Sequence, residues 1–428
     1  MNFSKIHECL DNISLIKNKK KIGVAVSGGV DSMSLLHVAS NWARKYSKEL
    51  CVLSFDHNLR KESFQDIELV KFVAKSLNLE HKYFIWQEKP SSAVLEKARI
   101  ARYKTFSKYC RSEDIDVLLV AHTADDIAET MAIRILNKSN LDGLCPMVKQ
   151  KKIFDIFLVR PFLHVRKFEI YKFAQAYSIK YNEDPSNKNN KFLRSRVRRY
   201  LNSNNKLTEG FIKASSLYCN LRKIKSEIIK NKFKDYFDFK IEGYVVIKKE
   251  LLLDFPKFLI LSFFKNCLMQ IGNRKYPPST KKLIELFSKS NMHMVTNFSL
   301  CGCIISLRKE KILIIREYNK IKSLNMEIKN KNTLLWDNRF ILSNLPKNKV
   351  YNIFPLGNII DRSYIKQILE KYKKNNCKIP FFVKKTLPVI KTLEGLILIP
   401  HFNIYESTKD KIKIDINGLY DKNDNNDF

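Results

Sequence analysis

The chain has no C-x-x-C pair, no internal repeat and no long uninterrupted apolar run. Its nine cysteines are scattered and odd in number, which argues against a disulfide framework and for a reduced, cytoplasmic protein. Cys301-Gly302-Cys303 has no second pair beside it and reads as strand residues rather than as a metal or redox site. Residues 1–20 contain no apolar core of signal-peptide length. The most apolar later stretch, residues 251–264, is broken by Asp254, Pro256 and Lys257 and is too short to cross a bilayer, so no membrane partner is expected. Acidic residues are scarce: 43 Asp and Glu stand against 78 Lys and Arg, a formal net charge of +35 over 428 residues. A surplus of that size speaks for a polyanionic partner, nucleic acid first. A general richness in Lys, Asn and Ile is another source of the same surplus. The length allows two or three domains.

What is present centres on Ser27-Gly28-Gly29-Val30-Asp31-Ser32. Ile22 to Val26 before it is short, apolar and β-branched, as a buried strand is. Met33 to about Tyr46 after it repeats apolar residues at helical spacing. A strand, a glycine turn and a helix make an anion site: the glycines admit close backbone approach, and free amides at the helix start face negative charge. Ser27 and Ser32 add hydroxyls, and Asp31 is placed to take a Mg2+ that a phosphate carries. No G-x-x-x-x-G-K-[ST] string occurs, which excludes the Walker loop. An ordinary loop with an N-cap is the plainer reading of such a turn.

Further strands are expected at residues 50–55, 81–86, 117–121 and 157–159. Helices are expected at residues 62–77, 94–110 and 123–136. That alternation predicts an α/β fold with a doubly wound parallel sheet, whose sites lie at the carboxyl ends of strands. The polar segments Asp56-His57 and His122 fall there. On a helix, His122, Asp126 and Glu129 share one stripe, with Ile127, Met131 and Ile135 on another that can pack on the sheet. Acids in a first turn also suit capping. Zinc is a poor reading, because H-E-x-x-H is absent. Arg194, Arg196, Arg198 and Arg199 set four guanidiniums within six residues, suited to phosphate or to a solvated helix face.

The hexapeptide resembles the pyrophosphate-binding loop, SGGxDS, of the N-type ATP pyrophosphatases (the PP-loop family). With the HxxDDxxET string at His122–Thr130 and the DHxLR-like segment at Asp56–Arg60, the chain resembles the tRNA(Ile)-lysidine synthases. Ala101-Arg102-Tyr103, Leu141-Asp142-Gly143-Leu144, Arg160-Pro161-Phe162-Leu163, Asp184-Pro185-Ser186-Asn187 and Arg194–Arg198 match that family in order, over about residues 22–199. The resemblance implies a cytoplasmic ligase that joins free L-lysine to C2 of the wobble cytidine in the CAU anticodon of tRNA(Ile), using ATP and Mg2+. It implies ATP binding by Ser27, Gly28, Gly29, Val30, Asp31 and Ser32, with Asp31 as the Mg2+ ligand. Catalysis falls to Asp31, Arg102, His122, Asp126 and Arg194, lysine binding to Asp126 and Glu129, and tRNA binding to Arg194, Arg196, Arg198 and Arg199. A homodimer is one expected assembly. Another PP-loop tRNA modifier, such as a cytidine thiolase, and a non-catalytic tRNA-binding protein are the alternatives.

Past residue 202 Lys and aromatic residues intermix and the α/β alternation stops. The expected layout is a PP-loop catalytic domain (1–205, adenine nucleotide alpha hydrolase-like), a mostly helical tRNA-binding domain (206–325) and a small α+β C-terminal domain (326–428). Helices are expected at residues 207–233, 251–271, 279–288 and 361–373, two strands within 298–316, and a hairpin around Thr392–Gly395. Residues 319–349 read as a linker with short strands, and residues 421–428 as a disordered tail. The mix of Phe263, Phe264, Lys265, Arg274, Lys275 and Tyr276 suits either base stacking or a core.

Overall fold

Alternate residues of each strand near the start of the chain face opposite ways, and both sides are apolar. A computed structural model shows where the two sides go. It describes residues 3–58, 63–87, 94–139, 141–144, 147–183, 193–274, 276–288, 296–329, 332–345, 350–360, 363, 366–367, 379–392, 397–404 and 412–416. The chain divides into two compact units, Met1–Arg222 and Lys223–Phe428.

The first unit opens with two single turns, α1 (Ser4–His7) and α2 (Ser14–Lys17). There follow β1 (Lys21–Ala25), α3 (Val30–Lys45), β2 (Glu49–Asp56), α4 (Ser63–Ser76), β3 (Glu80–Ile85), α5 (Val94–Ser112), β4 (Val117–Leu119) and α6 (Ala124–Leu136). Then come α7 (Leu141–Leu144), β5 (Gln150–Ile153), β6 (Ile156–Val159), a 3-10 turn (Pro161–His164), α8 (Lys167–Ala176), α9 (Leu193–Ser203) and α10 (Asn205–Lys232), which runs on beyond the unit's last residue, Arg222. The sheet order is β3-β2-β1-β4-β6-β5. All neighbours are parallel except β5, which pairs antiparallel with β6. The doubly wound parallel sheet is therefore as expected, with β5 and α8 as additions the pattern did not announce.

Strand periodicity sorts the two cores. Leu50 and Val52 of β2, with Val117 and Leu119 of β4, join α3, α4 and α8 in one cluster. Cys51, Leu53 and Leu118 turn the other way, onto Tyr103, Phe106 and Cys110 of α5. The stripe expected on α6 is only partly buried: Ile127 and Met131 are inside, whereas Ile135 is 45% exposed. The helix instead sets Ala128 and Ala132 against Val197 and Leu201 of α9.

In the second unit the strands are β7 (Phe237–Lys240), β8 (Tyr244–Lys248), β9 (Thr296–Leu300), β10 (Cys303–Leu307) and β11 (Lys311–Arg316). They form an antiparallel sheet in the order β7-β8-β11-β10-β9. All five lie in the stretch 206–325 read as mostly helical, where only two strands were expected, within 298–316. The helix expected over residues 251–271 is broken at Phe255-Pro256 into α11 (Leu251–Asp254) and α12 (Lys257–Ile271), since proline cannot continue a helix it interrupts. α13 spans Thr280–Ser288. Phe263 and Phe264 are fully buried among these elements, so they are core and offer no face to a base. Lys265 is also buried and donates to Thr280 Oγ1 (2.7 Å), while Tyr276 is 63% exposed.

Cys301 and Gly302 are a correction: they are not strand residues. Their φ angles of 56° and 76° make the two-residue turn between β9 and β10, and only Cys303 is on a strand. Residues 319–349 are likewise more than a linker. β12 (Met326–Lys329), β13 (Thr333–Trp336) and β14 (Phe340–Ser343) bury Ile328, Leu334, Trp336, Phe340 and Leu342 in a core shared with β15 (Val350–Pro355) and β16 (Pro388–Thr392). β16 pairs antiparallel with β17 (Ile397–Leu398), as the expected hairpin requires. β18 (Lys413–Ile416) completes a three-stranded sheet with β13 and β14. Of the helix expected over 361–373 only residues 363, 366 and 367 are described, and the tail, Asp184–Asn187, Leu59, Arg60 and Lys275 lie outside the described residues. Among the described residues no helix is long and apolar enough to cross a membrane.

Candidate active site

The glycine turn sits at the carboxyl end of β1, between that strand and α3. Gly28 has φ 83°, and a Cβ there would meet Asp66 Cβ at 3.0 Å; both its backbone and its neighbours require glycine. The Asn182 N–H donates to the Gly28 carbonyl (3.0 Å), and Asn182 Nδ2 donates to Asp66 Oδ1 (2.9 Å). The Ser27 N–H donates to Ser32 Oγ (3.1 Å), whose hydroxyl donates to the Gly29 carbonyl (2.9 Å). The serines thus brace the turn as well as lining it.

Two adjoining hollows open on this turn. One of about 300 Å³ is lined by Ser27, Gly29, Asp56, His57, Arg102 and Asn182, among others. The second, about 200 Å³, is lined by Ser27, Gly29, Asp31, Ser32, Arg102 and His122, among others. Arg102 faces both. Its Nη2 donates to Tyr103 Oη (3.3 Å), while its Nε is buried with no partner. Asp31 Oδ2 lies 3.4 Å from Lys167 Nζ, and Oδ1 is buried with no hydrogen-bond partner. Burial pushes the Asp31 carboxyl above its usual range, opposed by Lys167. A desolvated carboxylate oxygen with no donor is suited to a hard cation, so the residues fit Mg2+. Among the described residues no group of three or more His, Cys, Asp or Glu is gathered to hold a metal.

His122 is a correction: it is not on the helix with Asp126 and Glu129 but ends the loop after β4, ahead of the Thr123 cap, with its Nδ1 buried and unpartnered. Burial pushes it down to about 4, against the pull of Asp126 and helped by Arg160 and Arg102. It is neutral at pH 7. His57 is likewise held down at about 4 by burial and Arg102. Thr123 caps α6, and Asp126 Oδ2 accepts from the Thr123 N–H (2.9 Å), so Asp126 does have the capping role open to it. Its other oxygen, Oδ1, accepts from Arg194 Nη2 (2.9 Å). Burial would raise the Asp126 carboxyl, but His122, the Thr123 N–H, Arg194 and Arg198 outweigh it and hold it low.

Glu129, 3% exposed, is held by two guanidiniums. Arg194 Nε donates to Oε2 (2.8 Å), Arg198 Nε to Oε1, and Arg198 Nη2 to Oε2 (3.1 Å). The run of four arginines is therefore divided by helical phase. Arg194 and Arg198, four apart, turn to α6, whereas Arg196 and Arg199 are exposed. Lys167, Asn182 and Asp66 belong to the site but carried no motif; each reaches it from far along the chain, so spacing gave no signal.

Residues 2–205 match the family described as the PP-loop domain. Relatives cover more. The chain is 30% identical to a tRNA(Ile)-lysidine synthase of Wolbachia pipientis wMel, over 99% of this chain and 98% of that one. It is 31% identical to a tRNA(Ile)-lysidine synthase of Rickettsia bellii (strain RML369-C), over 95% of each. Among solved structures it is similar to a U34-tRNA thiolase from Methanococcus maripaludis, at 16% identity and a TM-score of 0.43, covering 50% of this chain and 75% of that one. The fold and site thus define an ATP-using protein of the PP-loop class. Within that class, the chain belongs to the tRNA(Ile)-lysidine synthase family.

Proposed function

We propose that the chain ligates free L-lysine to C2 of the wobble cytidine in the CAU anticodon of tRNA(Ile), giving lysidine through an adenylated cytidine, with release of pyrophosphate and AMP. One observation carries the reading: the glycine turn, Asp31, Arg102 and His122 line a single hollow. In this reading the ATP pyrophosphate lies on the turn from Ser27 to Ser32. The cytidine C2 oxygen attacks the α-phosphorus, and negative charge builds on the phosphoryl oxygens. Arg102 meets that charge as a fixed cation, while His122, being neutral, serves as a hydrogen-bond or proton partner. Mg2+, held by Asp31, would add positive charge beside the phosphates.

Lysine then displaces AMP through its ε-amine, with Asp126 and Glu129 as the acids that receive the ammonium. Both are already paired with arginine, so lysine enters by exchange. Arg194, whose side chain is 48% exposed against 23% for Arg198, is the one that leaves. Its departure also removes a cation that holds the Asp126 carboxyl low, making Asp126 a better acceptor for the amine proton.

The three-part layout 1–205, 206–325 and 326–428, the homodimer and the cytoplasmic location belong to the same proposal. The test is incubation with ATP, lysine and a CAU-bearing isoleucine tRNA transcript, followed by nucleoside mass spectrometry. Lysidine is the expected product. Bound but unchanged tRNA would favour a binding protein, and a sulfur adduct a thiolase.

A further inference from the structure

Beside the hollow described above, a groove of about 700 Å³ runs along α8 and α9. Four cationic residues line it, Arg166, Lys167, Arg198 and Arg199, against the single carboxylate of Asp125. Three of the four have acidic partners: Arg166 Nε donates to both oxygens of Asp125 (3.2 Å each), Lys167 pairs with Asp31 and Arg198 with Glu129. Arg199 is exposed and, among the described residues, has no acidic partner. Phe168 lines the same groove and is 51% exposed. The Arg166 guanidinium and the Lys172 ammonium each lie 5.6 Å from its ring centroid. A half-exposed ring amid cations contributes little to a core, but it has the chemistry that stacks a nucleobase next to a phosphate. Asn202 and Tyr171 add hydrogen-bonding groups along the same wall.

The groove adjoins the proposed active site through two ion pairs. Lys167 faces Asp31 and Arg198 faces Glu129, and both line the groove. A strand leaving the reacting centre therefore meets cations along this path. We infer that the groove seats a nucleotide of single-stranded RNA adjoining the one that reacts, its base against Phe168 and its phosphate on Arg199; this rests on the lysidine reading. Single-stranded loops are where proteins read RNA, because unstacked bases can be splayed onto aromatic rings.

The test uses the full chain and a fluorescent CAU anticodon stem-loop RNA. Phe168→Ala should weaken RNA binding about tenfold, and Phe168→Tyr should restore it, since a stacked base needs only the ring. Arg199→Ala should weaken binding and lower the salt dependence by about one counterion. Binding of a non-hydrolysable ATP analogue should not change in any variant. Wild-type affinity in both alanine variants overturns the groove, whether or not the wild type forms lysidine. Loss at Arg199 with none at Phe168 overturns the base seat. Loss in both, with no lysidine from the wild type, keeps the groove as an RNA site and sinks the reaction.

Discussion

Arg194 and Arg198 grip Asp126 and Glu129 in the first unit, while Arg316 and Arg339 grip Asp337 in the second. The second cluster is closed. Arg339 is fully buried and Arg316 is 5% exposed. Spare guanidinium donors reach the carbonyls of Gly272 (2.8 Å), Gly302 (3.1 Å), Gly243 (3.3 Å) and Thr386 (2.8 Å). Burial lowers the Arg339 guanidinium to about 10, with Asp337 opposing. The first cluster stays open. Arg194 is half exposed, and Asp31, Arg102 and His122, which line one hollow, carry buried atoms with no hydrogen-bond partner. The same residue types serve a staple in one place and a working site in the other. What separates them is whether the polar atoms are already satisfied.

The contrast can be broken at several points. Asp31→Ala should lower lysidine formation at least a hundredfold while leaving the melting temperature nearly unchanged, because the lost carboxylate was itself disfavoured by burial. Near-normal turnover in a nucleoside assay would remove its proposed role. Asp337→Ala should do the reverse, costing about 3–5 kcal/mol in urea unfolding by leaving two buried guanidiniums unpaired. A loss under 1 kcal/mol would mean the staple is ornamental. Glu129→Gln should raise the lysine KM about tenfold with a smaller change in the tRNA KM, read from steady-state kinetics. Equal shifts in both would place Glu129 in general architecture.

The smallest effect concerns pH. His122 is held at about 4 in the folded chain, below the ordinary histidine value of about 6.5. The unfolded chain therefore binds the proton first as pH falls. The neutral folded form is fully favoured above about 6.5, and its stability is lost progressively from there to about 4. His122→Gln should flatten that part of the stability profile, measured by thermal unfolding across the range. His401 of the second unit, also near 4 through burial, should keep its own share. An unchanged profile in His122→Gln would show that His122 is not buried neutral.

The parallel strands and the glycine turn were legible because their signals are local: a run of β-branched residues, then Gly28 and Gly29, then helical spacing. Asp126 and Glu129 were legible as neighbours on one helix face for the same reason, whereas His122, read onto that helix, precedes its Thr123 cap and lies in the loop after β4. The pairing of Glu129 with Arg194 and Arg198 was not, since it joins residues 65 and 69 positions apart through tertiary packing. Lys167 beside Asp31 is the same case over a longer span. In the second unit, Cys301-Gly302 sat inside an apolar run and looked continuous with it; two positive φ angles in succession, which only the folded backbone displays, make it a turn. Trp336 and Phe340 were hidden by the Lys and Asn around them, although both are fully buried.

Where α6 meets α9, the methyl groups of Ala128 and Ala132 pack against Val197 and Leu201, beside the pairing of Glu129 with Arg194 and Arg198. They act as a gauge: the gap between the helices sets how far two guanidiniums stand from Glu129. Ala132→Leu should press the helices apart and lengthen the hydrogen bonds between the guanidiniums and Glu129. The chemistry at the carboxylates thus depends on how little side chain the neighbouring alanines carry.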